Sequence, residues 1–163
     1  MTTRDELIDW LRDAYAMERG LEITLRKQSE SDEVLPVVRE RAGFHLEETR
    51  RHAEEVRRCL ETLGADVSSI KAGVAQTVET FKGFGTRFAR DERVKDTLAA
   101  YASEHFEIAC YKALRAAAVQ TGDHAIVEMC DRILPDEERM AEWLDQNLPV
   151  VVTEYLQQEA ATH

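Results

Sequence analysis

The sequence predicts an all-α fold: a four-helix bundle of two antiparallel helical hairpins, joined by a long crossover that carries a short extra helix. Three observations predict it. Apolar residues recur in alternating steps of three and four along four long stretches. Only 7 Gly and 3 Pro punctuate the 163 residues, and no alternating strand pattern competes with the helical one. Two of the connections between stretches are short and one is long, which fixes how the stretches are arranged. A chain of this length makes one domain with a sizeable core.

Helix A is expected over roughly residues 4–28. Thr3-Arg-Asp-Glu6 reads as a capping box, and Leu7, Leu11, Ala14, Leu21 and Leu25 then keep to one helical face. The polar stretch at 29–33 is a turn, and Pro36 suits the first turn of a helix, where its missing N–H is no loss. Helix B follows over about 33–63, with Ala42, Leu46, Thr49, Ala53, Val56, Leu60 and Leu63 on one face and Gly64 as its stop. Ile70, Val74, Val78 and Phe81 space out a short helix that Gly83-Phe-Gly85 breaks. Asp91 caps helix C, which runs to Gly122. Asp123 caps helix D, with Pro135 inside it and Pro149 closing it, so residues 149–163 are expected as a short terminal helix or tail beyond a 1–148 domain.

Short A–B and C–D connections make each pair an antiparallel hairpin. The B–C link, about 65–90, is long enough to run the length of a bundle and bring C back parallel to B. That connectivity is the ferritin-like variant of the four-helix bundle. Lys+Arg 21 against Asp+Glu 32 leaves a net charge of −11, which argues against nucleic acid and anionic membranes as partners and suits a protein that handles cations. No apolar run approaches the ~18 residues of a membrane span, and MTTRDEL has no signal-peptide character, so the expected address is cytoplasmic. Three widely spaced cysteines, Cys59, Cys110 and Cys130, support neither a disulfide framework nor a zinc finger.

Acids on all four helices break the rule that charges sit on the wet face of an amphipathic helix. Glu18 interrupts the stripe Leu7, Leu11, Ala14, Leu21, Leu25. In helix C, Glu104 and Glu107 share an arc with Ala100, Tyr111, Leu114 and Ala118; in helix D, Glu137 shares one with Ile126, Cys130, Ala141, Leu144 and Leu148. His45, Glu48 and His52 form a stripe along the edge of helix B's apolar face. Glu18, Glu48, Glu107 and Glu137 all fall near the midpoints of their helices, within roughly 3 Å along the axis. Several buried anions at one level repel each other and are stable only if protonated or neutralised. A bound metal pair with imidazole completing the site is the simplest neutraliser, and carboxylate-plus-His ligation suits iron or manganese. The candidate ligands are Glu18, Glu48, His52, Glu104, Glu107 and Glu137, with Glu107 favoured over Glu104.

At these residues the chain resembles a known family. AYAMERGLE in helix A, FHLEETRRHAEEVRRCLETLG in helix B and SEHFEIACYKALRAAA in helix C are similar to the YciE/YciF-type bacterial family of the ferritin-like superfamily, over about residues 5–148. The resemblance implies a rubrerythrin-like di-metal centre, a dimer, a link to bacterial stress response, and oxidation of Fe(II) or consumption of peroxide. The family's acid in helix A falls on Glu18, its helix B run on His45, Glu48, Thr49 and His52, its helix C run on Glu104, His105, Phe106, Glu107 and Tyr111, and its helix D acid on Glu137. This chain has Ala141 where many members carry Asp, with Glu138 or Glu142 as substitutes, and Glu48 and His52 are four apart rather than three.

The expected function is therefore a di-iron or di-manganese protein, two metals per chain, acting on dioxygen or peroxide, with Tyr15 or Tyr111 as a nearby hydrogen-bond donor or radical trap. An alternative of another class stays open: a helical stress or interaction protein that keeps the fold without the chemistry. Its dimer face would be Phe81, Phe84 and Phe88 of the crossover.

Overall fold

A computed structural model describes residues 2–68, 70–85 and 88–162. Five helices follow in order: α1 (Thr3–Glu30), α2 (Pro36–Thr62), α3 (Lys71–Gly83), α4 (Glu92–Thr121) and α5 (His124–Ala161). Among the described residues there is no strand, and no helix is long and apolar enough to cross a membrane.

Local chemistry sets the helix ends. Thr2, one residue earlier than expected, caps α1: its hydroxyl accepts from the Asp5 amide at 3.2 Å, and the Asp5 carboxylate accepts from the Thr2 amide at 2.7 Å. Pro36 occupies the first turn of α2. Asp91 and Asp123 accept from the amides of Val94 and Ile126, at 3.2 and 3.3 Å. Gly122, at φ +73°, supplies the left-handed residue that turns α4 into α5 with one residue between cap and helix.

Cross-helix contacts give the topology. Arg4 reaches Leu63 and Arg50 reaches Glu22, Tyr101 reaches Asp145 and Arg115 reaches Asp131, and Arg51 reaches Asp136 while Arg132 reaches Glu55, so α1–α2, α4–α5 and α2–α5 each run antiparallel. Hence α2 and α4 are parallel, as the long crossover requires, and the bundle is ferritin-like in connectivity. Helix α3 lies in the crossover against α1 and α4. Its approach to α1 depends on small residues: a Cβ on Gly20 would sit 2.9 Å from the Thr77 methyl, and one on Gly73 would sit 3.2 Å from the Ala16 Cβ.

Two expectations change. The segment after Pro149 is no separate helix or tail, since α5 continues through it to Ala161. Packing outweighs the lost backbone bond: Val151 is buried, and the Arg93 guanidinium lies over the Tyr155 ring, 5.4 Å from its centroid. Phe81 is no part of a free face either. It is buried against Phe106, with ring centroids 6.0 Å apart, while Phe84 and Phe88 are exposed.

Candidate metal centre

A continuous apolar core runs along the bundle, from Leu7, Leu11, Val56, Leu60, Leu114 and Ile126 at the α1 start to Leu25 and Ala42 at the α1 end. Halfway along the axis the same seams turn polar. Glu18 from α1, His45 and His52 from α2, Glu104 and Glu107 from α4, and Glu137 from α5 are all at most 2% exposed. Heptad spacing brings them there. Glu18 lies seven residues after Leu11, and His52 seven after His45, so each occupies a position that would otherwise hold a Leu or Val.

Their atoms converge in two groups that share Glu137. Glu18, His52 and Glu137 form one, and His45, Glu104 and Glu137 the other; within each, the ligand atoms lie within 4.8 Å of one another. His52 Nδ1 is 2.8 Å from Glu137 Oε1 and 3.6 Å from Glu18 Oε1. His45 Nε2 is 3.0 Å from Glu104 Oε1 and 3.6 Å from Glu137 Oε2. The two longer contacts are beyond hydrogen-bond distance and the two shorter ones lack hydrogen-bond geometry, so both nitrogens are left unsatisfied. So are Glu18 Oε2, Glu104 Oε2 and both oxygens of Glu107 and of Glu137. Buried polar atoms are nearly always paired, so a cluster aimed at common space instead of at each other fits a cation. The donor set, imidazole plus carboxylate in an interior bundle site, matches iron or manganese.

The outward nitrogens are satisfied. His45 Nδ1 lies 2.8 Å from Glu48 Oε2, and His52 Nε2 lies 2.9 Å from Asp136 Oδ2. A carboxylate on one ring nitrogen holds a proton there and turns the other nitrogen inward as a lone-pair donor. The two histidines thus face the layer with opposite atoms, Nε2 and Nδ1. Arg51 and Arg139 pair with Asp136 in turn. On the other flank the Tyr111 hydroxyl donates to Glu18 Oε1.

With only protons to neutralise it, the layer redistributes charge. Burial, followed by the repulsion of Glu137, lifts the Glu107 carboxyl far above its ordinary range. Burial also raises Glu18 and takes Glu104 to about 8, with the neighbouring imidazoles only partly opposing it. Burial works against a charged His52, yet the Glu137 and Glu18 carboxylates raise it to about 11. His45 is raised in the same way, chiefly by Glu104 against its own burial. Glu137, between the two imidazoles, is held well below the usual carboxylate range although burial opposes this. Tyr111 is pushed up by burial and then by Glu18.

Of the residues singled out in the sequence, Glu18, His52, Glu104 and Glu137 come together in the two groups, and Glu107 sits among them with both oxygens free. Glu48 is buried but does not join them: its carboxylate is engaged by His45 from behind and lies 3.6 Å from Arg139. Glu138 and Glu142 face solvent and do not fill the place of Ala141. Tyr111 is the hydrogen-bond donor; Tyr15 is half-buried elsewhere in the core. The ligand set drawn from the sequence left out His45, although its heptad relation to His52 was a usable signal. Asp136 was missed because an acid beside Glu137 reads as the solvated neighbour of a core position.

The chain is similar to one known family and to several solved structures. The family model described as "Domain of unknown function (DUF892)" matches residues 2–157. A crystal structure of a protein from Xanthomonas campestris pv. campestris str. ATCC 33913 is similar at 33% identity and a TM-score of 0.84, covering 98% of this chain and 99% of that one. The Escherichia coli stress protein YciF is similar in fold at 23% identity and a TM-score of 0.76, covering 94% and 98%. A Bacillus anthracis str. Ames structure, described as ferritin-like, diiron-carboxylate proteins, is similar in fold at 20% identity and a TM-score of 0.73, covering 91% and 99%.

Proposed function

The chain belongs to the family described as Domain of unknown function (DUF892), and we propose that this member holds two iron or manganese ions between its four helices and uses them to oxidise Fe(II) or to consume peroxide. One observation carries the reading: two buried carboxylate–imidazole groups share Glu137 and leave their inner atoms unpaired. The description of the Bacillus anthracis structure as diiron-carboxylate supports it. That of YciF as a stress protein supports a place in a bacterial stress response.

Glu18 and His52 would hold one ion and His45 and Glu104 the other, with Glu137 common to both and Glu107 as a further carboxylate. Bound iron or manganese supplies one-electron redox chemistry and open coordination positions for dioxygen or peroxide. The remaining work belongs to the protein. Glu48 and Asp136 keep protons on the outer nitrogens of His45 and His52, so the inner nitrogens stay available. Tyr111 holds Glu18 by one oxygen and leaves the other free. Complete burial of the layer excludes bulk water and strengthens every charge interaction within it. The exposed Phe84 and Phe88 of the crossover favour a homodimer.

The test is metal content by mass spectrometry after anaerobic Fe(II) loading and desalting, followed by a peroxide-consumption assay. Two irons per chain are expected, neither retained by Glu137→Ala, with peroxide consumption lost in parallel. Equal metal in both proteins would overturn the reading of the site. Metal without turnover of Fe(II) or peroxide would overturn the redox chemistry and leave the binding.

A further inference from the structure

One heptad from the acid layer, the α2–α5 seam carries sulfur where the layer carries imidazole and carboxylate. Because the two helices are antiparallel, seven residues forward on α2 meets seven residues back on α5, about 10.5 Å along the bundle. His52 thereby corresponds to Cys59, Asp136 to Met129 and Glu137 to Cys130. In the acid layer His52 touches both Asp136 and Glu137. In the sulfur layer the Cys59 thiol lies 3.5 Å from the Met129 thioether sulfur. The same register places Cys130 beside Met129 at this level of α5, where burial, and then the Cys59 thiol, push its own thiol up. Met129 and Cys130 are fully buried and Cys59 partly so.

We propose that Cys59, Met129 and Cys130 form a separate soft-cation site that takes one Cu(I) ion. Two thiols and a thioether from facing helices, set among apolar side chains, are the donors that select Cu(I) over the harder divalent ions. Sulfurs 3.5 Å apart both reach a single ion at a sulfur–metal distance of about 2.3 Å. Binding displaces the two thiol protons to solvent and transfers no electrons, so Cu(I) remains Cu(I). Access is available, since Cys59 lines an open groove of about 560 Å³ between α2 and α5, where Arg58 and Arg132 pair with Glu54 and Glu55 and leave the thiol between them. Cys110 stands apart on α4, beside Trp10 and Met17 of α1, and serves as an internal control.

The site stands independently of the di-metal reading, and the experiment keeps the two apart. Reduced protein is loaded anaerobically with Cu(I) in competition with bicinchoninic acid, and retained copper is measured per folded chain, folding being checked by circular dichroism. The native protein, Cys110→Ser and Glu137→Ala are expected to keep one Cu(I). Cys59→Ala and Cys130→Ala are expected to lose it to the chelator, and Met129→Leu to hold it more weakly. X-ray absorption at the copper edge covers the case in which a cysteine variant does not fold, with a sulfur-only shell expected. Copper retained by both folded cysteine variants, loss in Glu137→Ala, or a shell of nitrogen and oxygen would overturn the proposal.

Discussion

The four helices of the bundle make two layers from one pattern. One heptad from the acids Leu11 and Leu114 take the inward positions of α1 and α4, and further along Leu60 and Ile126 take those of α2 and α5, all aliphatic and at most 2% exposed. At the level of Glu18, His52, Glu107 and Glu137 they are equally buried and ionisable. Backbone, register and burial are alike; only the residue type differs. Burial on a heptad seam is therefore a property of the position, and what the position contributes to stability is a property of the side chain. The aliphatic layer gains from leaving water. The ionisable layer loses hydration and leaves atoms unpaired, a combination that favours the fold only once a counter-charge is present.

Truncation breaks this comparison most directly. Leu11→Ala removes a fully buried side chain from the aliphatic layer and should lower stability by about 2–5 kcal/mol, with metal uptake per folded chain unchanged. Urea unfolding followed by circular dichroism, beside metal analysis, checks both halves. Glu107→Leu should act in the opposite sense. Filling the ionisable layer with a carbon side chain raises the stability of the metal-free protein by about 1–4 kcal/mol and removes metal uptake. A less stable metal-free variant would mean that the carboxyl is satisfied within the layer after all.

The next difference is in pH. Glu104 is raised from its ordinary range to about 8, and His52 from 6.5 to about 11. Both groups keep protons in the folded state that the unfolded chain releases. For Glu104 the folded state loses ground as pH rises from the ordinary carboxyl range through about 8. For His52 the stabilisation is complete below 6.5 and is lost as pH climbs toward about 11. The metal-free protein should therefore melt at lower temperature at pH 8 than at pH 6, with a slope of up to about 1.4 kcal/mol per pH unit for each titrating group. The increment from bound metal runs the other way and should grow from pH 6 to pH 8, because the metal competes with those same protons. Melting curves with and without Fe(II) at the two pH values separate the trends; parallel curves would contradict the assignment of the layer as the metal site.

How much of this was legible in the chain follows from the same contrast. Repetition is visible, so the four long helices, the hairpin pairing and the crossover could be read from periodicity and link lengths. An acid inside an apolar stripe is visible too, which is why Glu18, Glu107 and Glu137 stood out. What periodicity does not record is the direction of a side chain at the edge of a stripe. Glu48 and His45 occupy one edge, and only the packing of α2 against α4 and α5 decides that the imidazole turns inward, toward Glu104 and Glu137, and the carboxylate backs it. Pro149 failed as a stop for a related reason: a local breaker was outweighed by tertiary contacts of Val151 and Tyr155.

The smallest effect on folding, and the finest test of the layer, falls on Asp136. It is the cross-helix partner of His52, at 2.9 Å from Nε2, and it carries Arg51 and Arg139 on its outer side. Nothing of it points into the layer. Asp136→Asn keeps the shape and removes the charge that fixes the proton on Nε2, so the ring loses its preference for presenting Nδ1. Metal affinity is expected to fall about 10–100-fold, the usual consequence of removing an outer carboxylate from a ligating histidine. The His45 side, backed by Glu48, should be untouched, so titration with Fe(II) should resolve one weakened and one native-like event. Two equally weakened events would show that the histidines do not act separately, and no change would place the proton on His52 by some means other than Asp136.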